Sequence, residues 1–383
     1  MRLFTSRAKR WVGPAVVLGL SSLLLAACSA EDNGQNSLKP EGPQAEKIDR
    51  LFIPVFWISV VVGVLVLTAV VVFALRFRYR RGKNENPKQI HGSTPLEIGW
   101  TIVPALILAV VAVPTIITIF ELNEKPAGAD VVDVTVVGKQ WWWEFKYPEQ
   151  NIVTANELVI PAGRPVKVDL TACDESLPNK CNVIHSFWVP ELNGKRDVVP
   201  GRKNFTTIEA DKPGTYLGQC AEYCGLSHAN MRFRVIAKEP REFDRWIAEQ
   251  QQGPAVPFQV GTGAQTQPAG PTQELMSTKF QCTNCHSIGD SKVSSYGPNL
   301  THLASRTTFA SGYYELTRDK LVQWVHNAPG LIPMQSEHCR DPGEPAAGKC
   351  VGMPSFSRNT PSGQPTMTQQ EAEQIADYLL QLT

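Results

Sequence analysis

Apolar and polar positions divide this chain into unlike parts. Three uncharged apolar runs, Val12–Ala27, Leu51–Leu75 and Ile98–Phe120, fall in the first 120 residues. The second and third contain 25 and 23 residues without a charge, enough for a helix to cross a hydrocarbon core of about 30 Å. Pro104 and Pro114 do not exclude the third, because membrane helices tolerate proline. The first run is shorter and follows Arg2, Arg7, Lys9 and Arg10, the pattern of an export signal. Beyond residue 130 the runs shorten. Val131–Val137, Trp141–Tyr147, Val166–Leu170, Asn182–Val189, Lys203–Ile208, Tyr216–Cys220 and Met231–Ala237 are β-rich and broken by Pro, Gly or Asn, which predicts an antiparallel sandwich or barrel. Gln250–Gln273 is rich in Gln, Gly, Pro, Thr and Ala and predicts a flexible linker. The pattern then turns helical at Leu275–Phe280, Arg318–His326 and Thr368–Leu382. The last opens on Thr368 with Glu371 three residues on, a capping box, and places Ile375, Leu379 and Leu382 on one face.

Charge orients these elements. Arg76, Arg78, Arg80, Arg81 and Lys83 lie between the two long runs, whereas Glu121 and Glu124 follow the second. The positive-inside rule then puts the connecting loop in the cytoplasm and both termini outside. Leu25-Ala26-Ala27-Cys28 resembles the bacterial lipobox, which implies acylation of Cys28 after removal of the signal; an ordinary signal peptide with an incidental cysteine is the alternative. The net charge is +1, which gives no electrostatic reason to expect a nucleic-acid partner.

The densest chemistry lies in Cys220-Ala-Glu-Tyr-Cys224-Gly-Leu-Ser-His228-Ala-Asn-Met231. Thiolates, an imidazole and a weak thioether form a copper electron-transfer set. Two cysteines on one loop suit two thiolates bridging a copper pair, and each copper then needs an imidazole. His228 offers one, and His185, 35 residues before Cys220, is the best remaining donor. The bland readings are a disulfide and a zinc site, although zinc motifs usually bring Cys-x2-Cys.

With these residues the chain resembles cytochrome c oxidase subunit II over roughly residues 45–245. Leu96-Glu97-Ile98-Gly99-Trp100-Thr101, Gly138-Lys139-Gln140-Trp141-Trp142-Trp143 and Asp197-Val-Val-Pro-Gly-Arg202 carry the likeness further. The resemblance implies a cupredoxin (Greek-key) domain holding binuclear copper (CuA) on His185, Cys220, Glu222, Cys224, His228 and Met231. Glu222 would act through its backbone carbonyl, its side chain near a magnesium site at the interface with subunit I. It also implies that electrons enter through Trp141 and that Glu97 sits at the mouth of a proton path. Trp142 departs from the tyrosine usual at its position. The three aromatics could also simply pack the barrel, and Glu97 could be an exposed acid without a role.

Cys282-Thr-Asn-Cys285-His286 is a C-x-x-C-H haem-attachment motif, two thiols for the vinyl groups and a histidine for the iron. Its surroundings resemble a small class I cytochrome c, with Gly297-Pro-Asn-Leu300 as the loop whose carbonyl orients the histidine. Methionine is the expected distal ligand. Met353, in Met-Pro-Ser-Phe, is preferred, with Met334 as the rival and Met367 too close to the last helix. Cys173 with Cys181, and Cys339 with Cys350, remain as short-range pairs that an oxidising compartment would make disulfides. His302, His326 and His338 gain no role.

The expectation is a multidomain membrane protein: signal peptide 1–27, extracytoplasmic tail 28–48, transmembrane hairpin 49–123, all-β copper domain 124–245, linker 246–273 and all-α cytochrome c domain 274–383. It would be a lipid-anchored subunit in a bacterial plasma membrane, working with oxidase subunits I and III and an upstream cytochrome c or cytochrome bc complex. The alternatives are a CuA-containing nitric oxide reductase subunit and a stand-alone membrane electron carrier.

Overall fold

The computed structural model describes residues 34–78, 89, 91–128, 130–173, 183–258, 270–289, 296–334, 352–357 and 365–383. Helix α1 runs Pro43–Arg76 and α2 runs Thr94–Leu122. Each starts with proline in its first turn, where a missing N–H costs nothing. Both show apolar side chains to their surroundings along their length, from Phe52 to Phe77 and from Leu96 to Phe120. Such a surface is stable in lipid and costly in water. Lys47 pairs with Glu121 at 3.0 Å and ties the two helices together at one end.

α1 begins eight residues before its apolar run, inside the expected tail. The preceding residues are fastened to the β domain. Glu41 N–H donates to the Glu191 carbonyl, Asp211 N–H to the Glu41 carbonyl and Leu217 N–H to the Gly34 carbonyl. The tail is therefore part of the domain wall.

Among the described residues, ten strands make that domain: β1 Val132–Lys139, β2 Trp142–Tyr147, β3 Ile152–Ala155, β4 Glu157–Pro161, β5 Val166–Thr171, β6 His185–Trp188, β7 Arg196–Val198, β8 Asn204–Ile208, β9 Gly214–Cys220 and β10 Arg232–Lys238. They form two five-stranded sheets, ordered β3-β2-β1-β5-β8 and β4-β10-β9-β6-β7. The expected antiparallel pattern is broken twice, by parallel pairs β1–β5 and β4–β10. Alternate residues turn inward, as along β5, where Val166, Val168 and Leu170 are buried; this period-two burial is the strand signature. Trp143, Phe145, Phe187 and Phe233 fill the centre.

Helix α3, Pro240–Gln250, closes the domain. It is mostly polar, but Phe243, Trp246 and Ile247 share a face on the core, with Trp246 against the Tyr147 ring at 5.3 Å. The expected linker thus begins inside a helix. It also ends early, because Phe258 is buried in the C-terminal core.

The C-terminal module has α4, Pro271–Glu274, continuing through a wider turn to Lys279, then α5, Arg318–Leu331, bent at Asn327, and α6, Gln369–Leu379. Thr368 Oγ1 accepts from Glu371 N–H, and Glu371 accepts from Thr368 N–H. Met276, Phe280, Leu321, Val325, Ile375 and Leu379 pack its core. The module is mainly helical and not all-α: Thr308–Phe309 (β11) and Tyr314–Glu315 (β12) form a short ribbon.

Candidate redox sites

Strand register builds the first site. Met231 and Cys220 bracket the loop between β9 and β10, and Cys220 N–H donates to the Met231 carbonyl at 2.9 Å. β6 pairs with β9 so that Phe187 faces Cys220, and His185, two residues along on the same face, turns to the same end. The ligand loop and its distant histidine meet because two strands are neighbours.

The donors converge on two sulfurs. Cys220 Sγ lies 3.8 Å from His185 Nδ1 and 3.8 Å from Cys224 Sγ. Cys224 Sγ lies 3.6 Å from His228 Nδ1 and 3.7 Å from Met231 Sδ. The Glu222 carbonyl is 3.2 Å from Cys220 Sγ, while its carboxylate turns to the Tyr223 N–H. All six predicted ligands therefore contribute a donor to one cluster, and both cysteines are free thiols. The hydrogen bond between the sulfurs lowers the Cys220 thiol and raises that of Cys224. A metal bound there would displace the thiol protons.

The segment 138–143 holds this loop. A Cβ on Gly138 would meet His185 Cδ2 at 2.8 Å, so only glycine lets β1 pass beneath that ring. Gln140 Nε2 and Trp141 Nε1 both donate to the Cys224 carbonyl, at 2.7 and 3.1 Å. Trp143 packs on His185 with ring centres 5.8 Å apart. Trp142 lies under the Lys139 ammonium. Of the three tryptophans, Trp141 bonds to the ligand loop. The motif that contains Gly138 and Gln140 carried the family likeness but not these contacts, whose partners are more than 45 residues away.

A local turn builds the second site. His286 N–H donates to the Cys282 carbonyl at 2.9 Å, and Gly297 N–H to the Cys285 carbonyl. His286 Nδ1 is 2.8 Å from the Pro298 carbonyl. Donation from that nitrogen fixes the tautomer and leaves Nε2 as a ligand atom. Gly297 is obligatory here, because its Cβ would meet His286 Cε1 at 2.6 Å. Burial pushes the Cys282 thiol up to about 12, raises Cys285 and lowers His286. Two neutral thiols and a neutral imidazole fit covalent haem attachment through the vinyl groups.

The two rival methionines belong to different cores. Met353 packs on the C-terminal core and Met334 on that of the β domain. Met334 Sδ accepts from Met353 N–H at 3.3 Å. Met367 is buried in the C-terminal core.

Glu97 sits in the first turn of α2 and accepts from Ser93 N–H at 3.3 Å, the role of a helix-capping side chain. Cys173 is disulfide-bonded. Its expected partner Cys181, with Cys28, Cys339, Cys350 and His338, lies outside the described residues. His326 Nε2 faces the Met367 carbonyl at 3.1 Å, and His302 is buried.

Comparison with known proteins agrees with this architecture. Residues 150–238 match the family model for the cytochrome c oxidase subunit II periplasmic domain, and residues 32–117 that for its transmembrane domain. The chain is 36% identical to cytochrome c oxidase subunit 2 of Alkalihalophilus pseudofirmus, over 84% of this chain and 91% of that protein. It is 34% identical to quinol oxidase subunit 2 of Bacillus anthracis, over 62% of this chain and 80% of that protein. The crystal structure of the periplasmic domain of cytochrome oxidase subunit II of Bradyrhizobium japonicum matches at 30% identity and a TM-score of 0.29. That match covers 33% of this chain and 96% of that one.

Proposed function

The chain belongs to the cytochrome c oxidase subunit II family, a membrane subunit of an oxidoreductase complex with an extracytoplasmic domain, and on that premise we propose that it serves a cytochrome-oxidising enzyme through two redox centres of its own. The observation that carries the reading is the convergence of four further donor groups on the Cys220–Cys224 sulfur pair. His185, Cys220, Glu222 (by its carbonyl), Cys224, His228 and Met231 would hold binuclear copper. Cys282, Cys285 and His286 would hold haem c, with Met353 as the distal ligand. When bound, these groups would supply one-electron chemistry between a cytochrome c-type donor and subunit I, where dioxygen is reduced to water with proton transfer.

The protein's own residues then do the positioning. Met353 is favoured over Met334 because it packs with the module that carries His286, whereas Met334 packs on the β domain. Trp141 bonds to the Cys224 carbonyl, which suits it to link the copper loop to a donor. A cytochrome donor is favoured over quinol by how far the relatives extend. Residues 1–273 are about 71% of the chain, so an alignment over 84% must enter the C-terminal module; one over 62% need not. Acylation of Cys28, termini outside, a magnesium ion near Glu222, a proton path at Glu97, the Cys173–Cys181 and Cys339–Cys350 disulfides, and contacts with subunit III and a cytochrome bc complex belong to the same proposal.

The purified complex should contain a copper pair in this subunit, and one haem should stay on this polypeptide in a denaturing gel. A chain that carries no covalent haem, or a single copper, overturns the reading.

A further inference from the structure

The C-terminal module lies against the β domain at the end where the copper ligands sit. Ser311 Oγ donates to the Trp141 carbonyl, and Arg232 N–H donates to the Ser311 carbonyl at 3.2 Å. The Arg232 guanidinium stacks 5.0 Å over the Tyr313 ring. Gly312, with φ of +70°, lets the backbone run close beside Phe233: a Cβ there would lie 3.5 Å from the Phe233 Cα. From the ligand loop itself, Ser227 Oγ donates to the Pro333 carbonyl. Trp141 is only 6% exposed.

These contacts are mostly neutral or exposed; one is neither. Glu157, at the start of β4, is 4% exposed. Its Oε1 accepts from Thr307 N–H at 2.9 Å, Thr307 Oγ1 at 2.6 Å, Thr308 N–H at 2.8 Å and Thr308 Oγ1 at 2.8 Å. All four donors come from the other module, 150 residues along the chain. β10 places Arg234 opposite Glu157, and its guanidinium reaches Thr307 Oγ1 at 3.5 Å. A carboxylate in a dry interface is costly unless hydrogen-bonded, and charge-assisted bonds are the strong ones. Docking takes this carboxylate out of water, and the four donors of Thr307 and Thr308 replace its hydration.

We propose that Glu157 is a positioning residue: by binding Thr307 and Thr308 it latches the C-terminal module over Trp141, so that the ribbon of residues 307–313 occupies the face through which an outside protein would otherwise approach the copper loop. The proposal rests on the reading of the two sites as redox centres for its consequence, and on geometry alone for the latch. The tether already makes docking intramolecular; the latch sets the docked fraction and its register.

Two measurements on the full chain in the assembled complex test it. Amide hydrogen exchange across residues 307–313 reads the latch without either cofactor, and transfer of a photo-injected electron from the C-terminal module to the copper loop reads its consequence. Glu157→Ala should speed exchange there roughly tenfold or more and slow the transfer by a similar factor, with Glu157→Gln between. Thr307→Val with Thr308→Val should act alike, and combining them with Glu157→Ala should add little, as for partners in one interaction. If Glu157→Ala disturbs exchange throughout the β sheets, the threonine variant carries the test. Unchanged exchange at 307–313 in both variants overturns the latch. Faster exchange with unchanged transfer overturns its role in positioning. Absence of copper or haem from the unmodified complex defeats the functional reading and leaves the exchange result standing.

Discussion

The two cysteine pairs sit in opposite environments, although each stands beside a histidine. Cys220 and Cys224 meet sulfur to sulfur at 3.8 Å, and one of them gives up its proton readily. Cys282 and Cys285 are held protonated by burial. Sulfurs that meet in this way suit bridging thiolates once a metal displaces their protons, whereas two thiols on a C-x-x-C-H turn suit addition to haem vinyl groups. The assembly differs as well. The proposed copper donors come from β6 and the β9–β10 loop, so the set exists only when strands are in register. The C-x-x-C-H turn is closed by its own backbone hydrogen bonds. One site belongs to the fold, the other to a short segment.

The sharpest way to break this contrast is to remove one sulfur from each pair. Cys220→Ser or Cys224→Ser should abolish the copper pair, with loss of its near-infrared band, and leave covalent haem in place. Cys282→Ala should impair haem attachment without touching copper. Loss of both cofactors from a single-cysteine variant would show that the sites are built together.

A smaller effect separates the two methionines. Met353→Ala should remove the thioether-to-iron absorption band and lower the haem potential, since methionine ligation raises it. Met334→Ala should keep the band. The reverse result would assign the ligand to the residue that packs on the copper domain and would join the two cores chemically.

The two glycines beneath the histidines come next. Gly138→Ala sets a methyl against His185 at 2.8 Å, and Gly297→Ala sets one against His286 at 2.6 Å. Overpacking of this kind costs about 1–3 kcal/mol. His185 is fully buried and His286 is half-buried, so the first change should cost more, and copper content should fall before haem content does. Thermal melting of each variant, with metal analysis, measures both. Equal losses would mean that the local turn is as rigid as the sheet.

Much of this was legible in the sequence wherever chemistry and spacing are local. The two long helices follow from uncharged runs, the cap of α6 from Thr368 and Glu371, and both cysteine motifs from their spacing. Short elements were harder to see. β3, β4 and β7 have three to five residues, too few to establish a period. α3 is disguised by its polarity, since only Phe243, Trp246 and Ile247 mark its buried face. The docking of the modules has no local signature at all. Nothing local marks Glu157, whose partners Thr307 and Thr308 lie 150 residues away, and the motif that contains Gly138 does not reveal that His185 crosses it.

The smallest expected effect tests whether the C-terminal module is as locally determined as its motif. Lys279, three residues before Cys282, pairs with Glu371 at 2.5 Å, so the segment carrying the cysteines is tied to the first turn of α6. Glu371 also completes the cap with Thr368. The Lys279 ammonium comes first, and the Thr368 donors after it, in holding the Glu371 carboxyl below its ordinary 4.5. A carboxyl depressed in the folded state contributes stability above its unfolded value and loses it as pH falls through the folded value. The contribution is therefore present at neutral pH and fades below about 4.5. Lys279 is largely in water, so the ion pair adds little, and the cap supplies most of about 1 kcal/mol. Glu371→Ala, which removes the cap as well as the ion pair, should speed hydrogen exchange in α6 roughly fivefold at neutral pH, the equivalent of about 1 kcal/mol, and the difference should shrink in acid. An undiminished difference in acid would place the effect in packing, and the tie between the cysteine segment and α6 would then not be electrostatic.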